Sequence, residues 1–155
     1  MIIVTGAAGF IGSNFVNDWF KYSDEPVVSL DLLTYAGNLD NLSAQKDNPN
    51  HFFAQGDIGD SAFVSALLAQ YQPRAVLNFA AESHVDRSIS GPEAFIETNI
   101  MGTFRLLQAV RAYHSSLDAE AKTHFRFLHV STDEVFGSLE ADDAPFSETT
   151  AYAPN

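Results

Sequence analysis

The chain opens Met1-Ile2-Ile3-Val4-Thr5 and runs at once into Gly6, Gly9 and Gly12. Ile2, Ile3 and Val4 form the short β-branched apolar run expected of a buried strand. The glycines then mark a tight turn and the opening of a helix. That helix continues through Asn14, Phe15, Val16, Trp19 and Phe20, with apolar groups about one turn apart. Strand, glycine turn and amphipathic helix in this order make a site for the phosphates of a dinucleotide. Glycine permits the turn and close backbone approach, and the orphan N–H groups at the helix start attract negative charge. The spacing is GxxGxxG, not the more usual GxGxxG. A bare strand-to-helix turn needing positive φ would use the same glycines, so they do not decide the matter alone.

A length of 155 residues suits one domain with a substantial core, and the 46% hydrophobic content, with thirteen Phe, argues against disorder. No apolar run approaches the roughly eighteen residues of a membrane span. Met1 leads directly into the first strand, which leaves no room for a secretory signal. The absence of cysteine removes disulfides and thiolate nucleophiles and fits a cytoplasmic location. A net charge of −12 opposes general binding to a nucleic-acid backbone, so no nucleic-acid partner is expected, and without a spanning run no membrane partner is expected either. A helix N-terminus still binds phosphate locally in an acidic protein.

Val27, Val28, Ser29 and Leu30 read as a second strand ending at Asp31, nineteen positions beyond Gly12. A dinucleotide site wants a carboxylate there, because two ribose hydroxyls donate to it while a 2′-phosphate is repelled; this favours NAD over NADP. The alternative is a helix or turn cap. A polar, broken stretch comes next, with a short helix expected between Leu39 and Ala44. His51 to Ala54 read as a third strand, Asp60 or Ser61 as the cap of a helix over Phe63, Val64, Leu67 and Leu68, and Ala75 to Phe79 as a fourth strand. This alternation predicts an α/β fold: a Rossmann-like, doubly wound parallel sheet with helices on both faces and ligands at the C-terminal strand ends.

After the fourth strand, small residues Ala80 and Ala81 precede a polar cluster, Glu82-Ser83-His84-Val85-Asp86-Arg87-Ser88. The small residues permit close approach of a flat cofactor and Ser83 offers a hydrogen bond. His84, Asp86 and Arg87 fit a loop network equally well, and metal-ligand spacing is lacking. Pro92 begins the longest helix, with Glu93 in its first turn. Its apolar face is Phe95, Ile96, Ile100, Phe104, Leu107 and Val110; Thr98 and Asn99 interrupt it, facing either a ligand or solvent. Gly102 suits a close crossing. A break near Ser115-Ser116 and a charged linker lead to a fifth strand, Phe125 to Val130. Ser131-Thr132-Asp133-Glu134 lies just beyond it. Two adjacent carboxyls beside a hydroxyl suit acid–base chemistry, and the same residues suit the cap of a short helix. The acidic stretch 139–148, with Pro145, reads as loop.

Beyond these readings, the sequence resembles the dTDP-glucose 4,6-dehydratases, a family of extended short-chain dehydrogenase/reductases. The likeness runs along the chain in VTGAAGFIGSNFV, DLLTYAGN, GDIGD, NFAAESHVDRSI, GPEAFIETNIMGTF and HVSTDEVFG. The resemblance implies NAD as cofactor. It puts Phe10 and Ile11 on the pyrophosphate turn with Gly6, Gly9 and Gly12, and Asp31, Leu32, Leu33 and Thr34 around the adenosine ribose. It puts Asp57 and Ile58 beside adenine, and Phe79, Ala80, Ala81, Ser83 and Thr98 along the rest of the site. Ser83 and Thr132 would meet the nucleotide sugar, with Thr132, Asp133 and Glu134 as catalytic residues, Asp133 the acid and Glu134 the base. The implied activity is a lyase reaction converting dTDP-glucose to its 4-keto-6-deoxy product, in a homodimer built largely on long helices.

Two residues depart from the family pattern: Leu32 where Lys is common, and Phe136 in place of Tyr. The family's Tyr-x-x-x-Lys pair is also missing, since Tyr22, Tyr35, Tyr71 and Tyr113 are followed four residues later by Pro26, Leu39, Ala75 and Leu117. The expectation is therefore an N-terminal NAD-binding domain over residues 1–155, lacking the substrate-binding region and inactive alone. A UDP-glucose or other nucleotide-sugar dehydratase, and a noncatalytic NAD-binding module, are the competing readings.

Overall fold

Strand β1 (Ile2–Thr5) is buried along its whole length at the centre of a five-stranded sheet, which is why its sequence is continuously apolar. In the computed structural model, which describes residues 1–84, 86, 89 and 91–154, β2 (Val27–Asp31) pairs with it on one side and β4 (Ala75–Asn78) on the other. Strands β3 (His51–Gln55) and β5 (Arg126–His129) complete the order β3-β2-β1-β4-β5, every pair parallel. The expected doubly wound α/β architecture is present.

Side chains alternate across β1 and divide the core in two. Ile2 and Val4 pack with Val16 of α1 (Phe10–Tyr22) and with Leu42 of a 3-10 helix, Leu39–Gln45. Ile3 faces the opposite layer, formed by Val64, Leu67 and Leu68 of α2 (Ser61–Tyr71) and by Leu106 and Val110 further along the chain. Asp60, not Ser61, caps α2, its carboxylate accepting from the N–H of Phe63 at 3.0 Å.

The helix predicted as one piece from Pro92 is three. A turn of α-helix, α3 (Pro92–Phe95), leads into wide π-type turns over Ile96–Gly102, and α-helix resumes as α4 (Thr103–Ser116). The π-type turns take up extra residues and rotate α4 relative to α3, so the predicted apolar face splits. Leu106, Ala109 and Val110 reach the core, whereas Ile96, Ile100, Phe104 and Leu107 are left exposed on the outer side. Gly102 meets the crossing expected of it, since a Cβ there would lie 3.2 Å from Ile58 Cγ1. The linker before β5 also differs: it holds a short helix, α5 (Ala119–His124), because Asp118 accepts from the N–H of Ala121 at 2.8 Å and caps it. Among the described residues, no helix is long and apolar enough to cross a membrane.

At the N-terminal edge of the sheet, one carboxylate gathers three chain segments. Glu25 accepts from the α-amino group of Met1 at 2.7 Å and receives both Nε and Nη2 of Arg74, also at 2.7 Å. The Arg74 guanidinium lies over Trp19, 6.0 Å from the ring centroid. The Arg74 fork, helped by the Met1 amine, holds the Glu25 carboxyl below its ordinary value despite partial burial. Burial pushes the His51 imidazole down, against a backbone hydrogen bond to Gln45. Both shifts have the same sign on the acid side. Glu25 contributes stability above its ordinary carboxyl range, lost as pH falls through its lowered folded value. His51 is neutral in the fold, so stability falls below the usual imidazole range until its own lowered value is passed. Urea midpoints measured from neutral pH downward should decline in these two windows. Glu25→Gln should lower the neutral-pH stability by about 1 kcal/mol and flatten the more acidic decline.

Candidate functional site

All strands run parallel, so the loops after β1, β2, β4 and β5 meet at one edge. Gly6 adopts φ 64°, and a Cβ there would fall 2.6 Å from the backbone nitrogen of Ala80. Gly6 therefore lets the first turn press against the loop after β4. At Gly12 the constraint is space alone, as a Cβ would lie 2.2 Å from the carbonyl oxygen of Gly6. Within this turn Ala7 N–H donates to the Leu30 carbonyl at 3.4 Å, Gly9 N–H to Gly6 at 3.2 Å, and Ser13 N–H to Gly9 at 3.0 Å. The N–H groups of Phe10, Ile11 and Gly12 remain as the first-turn donors of α1, with no acidic side chain in that turn to compete for them.

Asp31, at the end of β2, is 9% exposed. One carboxylate oxygen accepts from Ala8 N–H at 2.9 Å, and the other from Leu33 N–H at 2.8 Å. The carboxylate thus fixes both the glycine turn and its own loop, where Leu33 takes the left-handed φ of 58°. The turn-forming alternative is realised, and it leaves further lone pairs on both oxygens.

Beside Asp31 lies a cleft enclosing about 100 Å³. It is lined by Gly6, Gly9, Asp31, Leu32, Thr34, Asp57, Ile58, Phe79, Ala80, Ala81 and Thr98. Leu30, Ala36, Gly37, Gly56 and Glu82, not singled out from sequence, line it too. The signal for Gly37 is the small Ala36-Gly37 pair after the β2 aspartate: a Cβ at Gly37 would lie 2.6 Å from Asp31 Oδ1. Phe10 and Ile11 stand outside the lining with exposed side chains, Gly12 lies beneath the turn, and Leu33 packs partly against the α1-side core. Ser83 is exposed and lines neither this cleft nor the one beside Thr132.

Glu82 and His84 of the polar cluster after β4 belong to a loop network. Tyr35 donates to Glu82 Oε2 at 2.9 Å and its ring stacks on His84 with centroids 5.4 Å apart. Asn99, in the π-type turns, accepts from Glu82 N–H and donates to the Glu82 carbonyl, both at 2.8 Å. Asn99 is therefore spent on the loop, while Thr98 beside it lines the cleft. Val85, Arg87 and Ser88 lie outside the described residues.

Beyond β5, Thr132 Oγ1 accepts from Glu134 N–H at 3.2 Å and caps a 3-10 helix, Asp133–Phe136. The side chains of Asp133 and Glu134 are exposed. Thr132, Glu134, Val135, Gly137, Ser138 and Pro154 line a second cleft of about 480 Å³; Asp133 is not in its lining. The chain's end returns to this turn, Ala153 N–H donating to the Val135 carbonyl at 3.0 Å. Phe136 packs against Phe146 and Tyr152, at 5.2 and 5.5 Å between centroids, which gives the ring a purely apolar role at this position.

A polar strut, buried at Thr5 and Asn78 and ending on the exposed His129, ties three strand ends together. Thr5 Oγ1 donates to Asn78 Oδ1, and Asn78 Nδ2 bonds His129 Nδ1 at 2.9 Å, tying the ends of β1, β4 and β5. A larger groove, about 750 Å³, lies at the opposite edge between α2, α4 and α5 and contains none of these groups. Among the described residues, no group of three or more His, Cys, Asp or Glu is arranged to hold a metal.

The sequence and fold recur in known proteins. A dTDP-glucose 4,6-dehydratase of Xanthomonas campestris pv. campestris (strain B100) is 58% identical over 153 residues, covering 99% of this chain and 43% of the relative. A solved dTDP-glucose 4,6-dehydratase from Streptomyces venezuelae, with NAD bound, superposes with a TM-score of 0.85 at 41% identity, over 99% of this chain and 45% of that one. Its counterpart from Bacillus anthracis, in complex with NAD, gives 0.81 at 39% identity, over 99% and 44%. The chain therefore spans less than half the length of these relatives, and what it matches is their N-terminal, cofactor-binding region. Residues 3–155 match the model of the family described as GDP-mannose 4,6 dehydratase, and the chain belongs to that family.

Proposed function

We propose that this chain is the NAD-binding part of a nucleotide-sugar 4,6-dehydratase acting on dTDP-glucose. One observation carries the reading. The glycine turn with Asp31, after β1 and β2, and the Thr132-Asp133-Glu134 turn, after β5, stand at the same edge of the parallel sheet, in a chain 58% identical to a dTDP-glucose 4,6-dehydratase.

The residues fit the cofactor. The N–H groups of Phe10 and Ile11, at the start of α1 above Gly12, would hold the pyrophosphate. The open lone pairs of Asp31 would accept the ribose hydroxyls, with Leu32, Leu33 and Thr34 around them, and repel a 2′-phosphate. Asp57 and Ile58 would flank adenine, while Phe79, Ala80, Ala81 and Thr98 would line the remainder, with Ser83 reaching the cofactor from outside the cleft. When bound, NAD supplies the acceptor for a hydride from sugar C4 and the source of its return to C6.

In this reading Thr132 and Ser83 contact the sugar nucleotide, and Thr132 positions the C4 oxygen. Glu134 removes the C5 proton, which a C4 ketone makes acidic, and Asp133 protonates the leaving C6 hydroxyl. Water is thereby lost across C5 and C6. No Tyr-x-x-x-Lys pair is found from Tyr22 through Tyr113, so the proton of the C4 hydroxyl is assigned to residues outside this chain. The exposed stripe Ile96, Ile100, Phe104 and Leu107 supports a homodimer joined through this helix.

Calorimetric titration of the chain should show NAD favoured over NADP by about 2 kcal/mol, roughly thirtyfold. With the full-length protein, dTDP-glucose should yield a 4-keto-6-deoxy sugar by mass spectrometry and sugar NMR, in preference to UDP-glucose. Conversion of neither sugar would overturn the assignment. In the same protein Glu134→Gln should retain NAD while slowing C5–H exchange roughly 10²- to 10⁴-fold; unchanged exchange would remove Glu134 as the base.

A further inference from the structure

The 3-10 helix Leu39–Gln45 lines no part of the cofactor cleft, yet its side chains reach the glycine turn. Asn41 Nδ2 donates to the carbonyl oxygen of Ala8 at 2.8 Å, and Asn38 N–H donates to the same oxygen at 3.1 Å. The carbonyl of Asn41 in turn accepts from Asn17 Nδ2, on α1, at 2.9 Å. Asn17 Oδ1 accepts from Gln45 Nε2 at 3.0 Å, and Gln45 Oε1 accepts from Asn48 Nδ2 at 3.0 Å. The result is an unbroken ladder of amides from the turn, across the outside of α1, to the approach to β3. It is anchored by Leu42 and Gln45, which are 4% and 8% exposed.

Amide side chains suit this task because Asn17 and Gln45 each donate with one atom and accept with the other, so each rung orients the next, and Asn41 passes the order on through its backbone carbonyl and its Nδ2 donor. Ala8 is fully buried, and its N–H is already committed to Asp31. With the carbonyl gripped as well, both polar groups of Ala8 are fixed just before the helix start that presents Phe10 and Ile11 N–H. A turn held this way loses little freedom when an anion docks on it, whereas a loosened turn must be ordered by the ligand.

We propose that Asn41, braced by Asn17 and Gln45, is a positioning residue for the pyrophosphate-binding turn. The inference rests on the proposed NAD site. It makes the polar stretch after β2 a remote determinant of dinucleotide affinity, acting without touching the ligand.

The test compares Asn41→Ala and Asn41→Leu in the present chain, titrated with NAD, ADP-ribose and adenosine and followed by circular dichroism. The Leu variant keeps the size and neutrality but loses the donor, so it remains informative if the Ala variant fails to fold. NAD and ADP-ribose should each lose about three- to tenfold in affinity, while adenosine, lacking the pyrophosphate, should be unaffected. Asn17→Ala should shift the same two ligands in the same direction. A merely structural role would weaken all three ligands alike, and that result, or unchanged NAD affinity in folded variants, overturns the proposal. Failure of the unaltered chain to bind NAD would instead overturn the functional reading, and this inference with it.

Discussion

The amides of Ala8 and Leu33 converge on the carboxylate of Asp31, and the ligand edge depends on that convergence. The two N–H groups belong to different loops, one after β1 and one after β2. Buried among apolar strands, a carboxylate left without donors would carry a large desolvation penalty. The two loops are therefore held in one arrangement, and the left-handed backbone of Leu33 is tolerated because its N–H has this partner. The cleft between the glycine turn and the Gly56-Asp57 loop arises from that arrangement.

A second set of polar contacts carries the order across the sheet. Thr5, Asn78 and His129 link β1, β4 and β5 at their C-terminal ends, so the strand that leads into the glycine turn is tied to the strand that leads into Thr132. With Thr5 and Asn78 fully buried, such a network fixes relative strand position more sharply than apolar packing does, since each bond has a direction. Asn99 and Tyr35 serve the loops above in the same way, joining them through Glu82. The π-type turns that carry Asn99 also leave Ile96, Ile100 and Phe104 facing outward.

Much of this was legible in the residue order. Ile2 to Val4, Val27 to Leu30 and Ala75 to Leu77 announce buried parallel strands by composition alone, and Gly6 and Gly12 occupy positions where a Cβ has no room. Asp31 and Thr132 each had two roles open to them from sequence, and the structure shows the local one, a turn and a cap, at both. Less legible were contacts between segments distant in sequence. Asn41 and Asn17 are 24 positions apart, Tyr35 and Glu82 are 47, and nothing in either neighbourhood announces the other. The π-type turns are not legible in the residue order because a 3.6-residue periodicity cannot register an extra residue per turn.

The sequence by itself determined the strand–helix alternation, the glycine turn and the carboxylate nineteen positions beyond Gly12. These depend on local backbone freedom and on which faces are apolar, and both are written in neighbouring residues. Tertiary structure alone decided which amides close on Ala8, which strands the Asn78 strut joins, and which half of the Pro92–Ser116 apolar face meets the core. Those outcomes depend on directional hydrogen bonds and packing between segments that only the folded chain brings together, after the ordering entropy of every segment has been overcome.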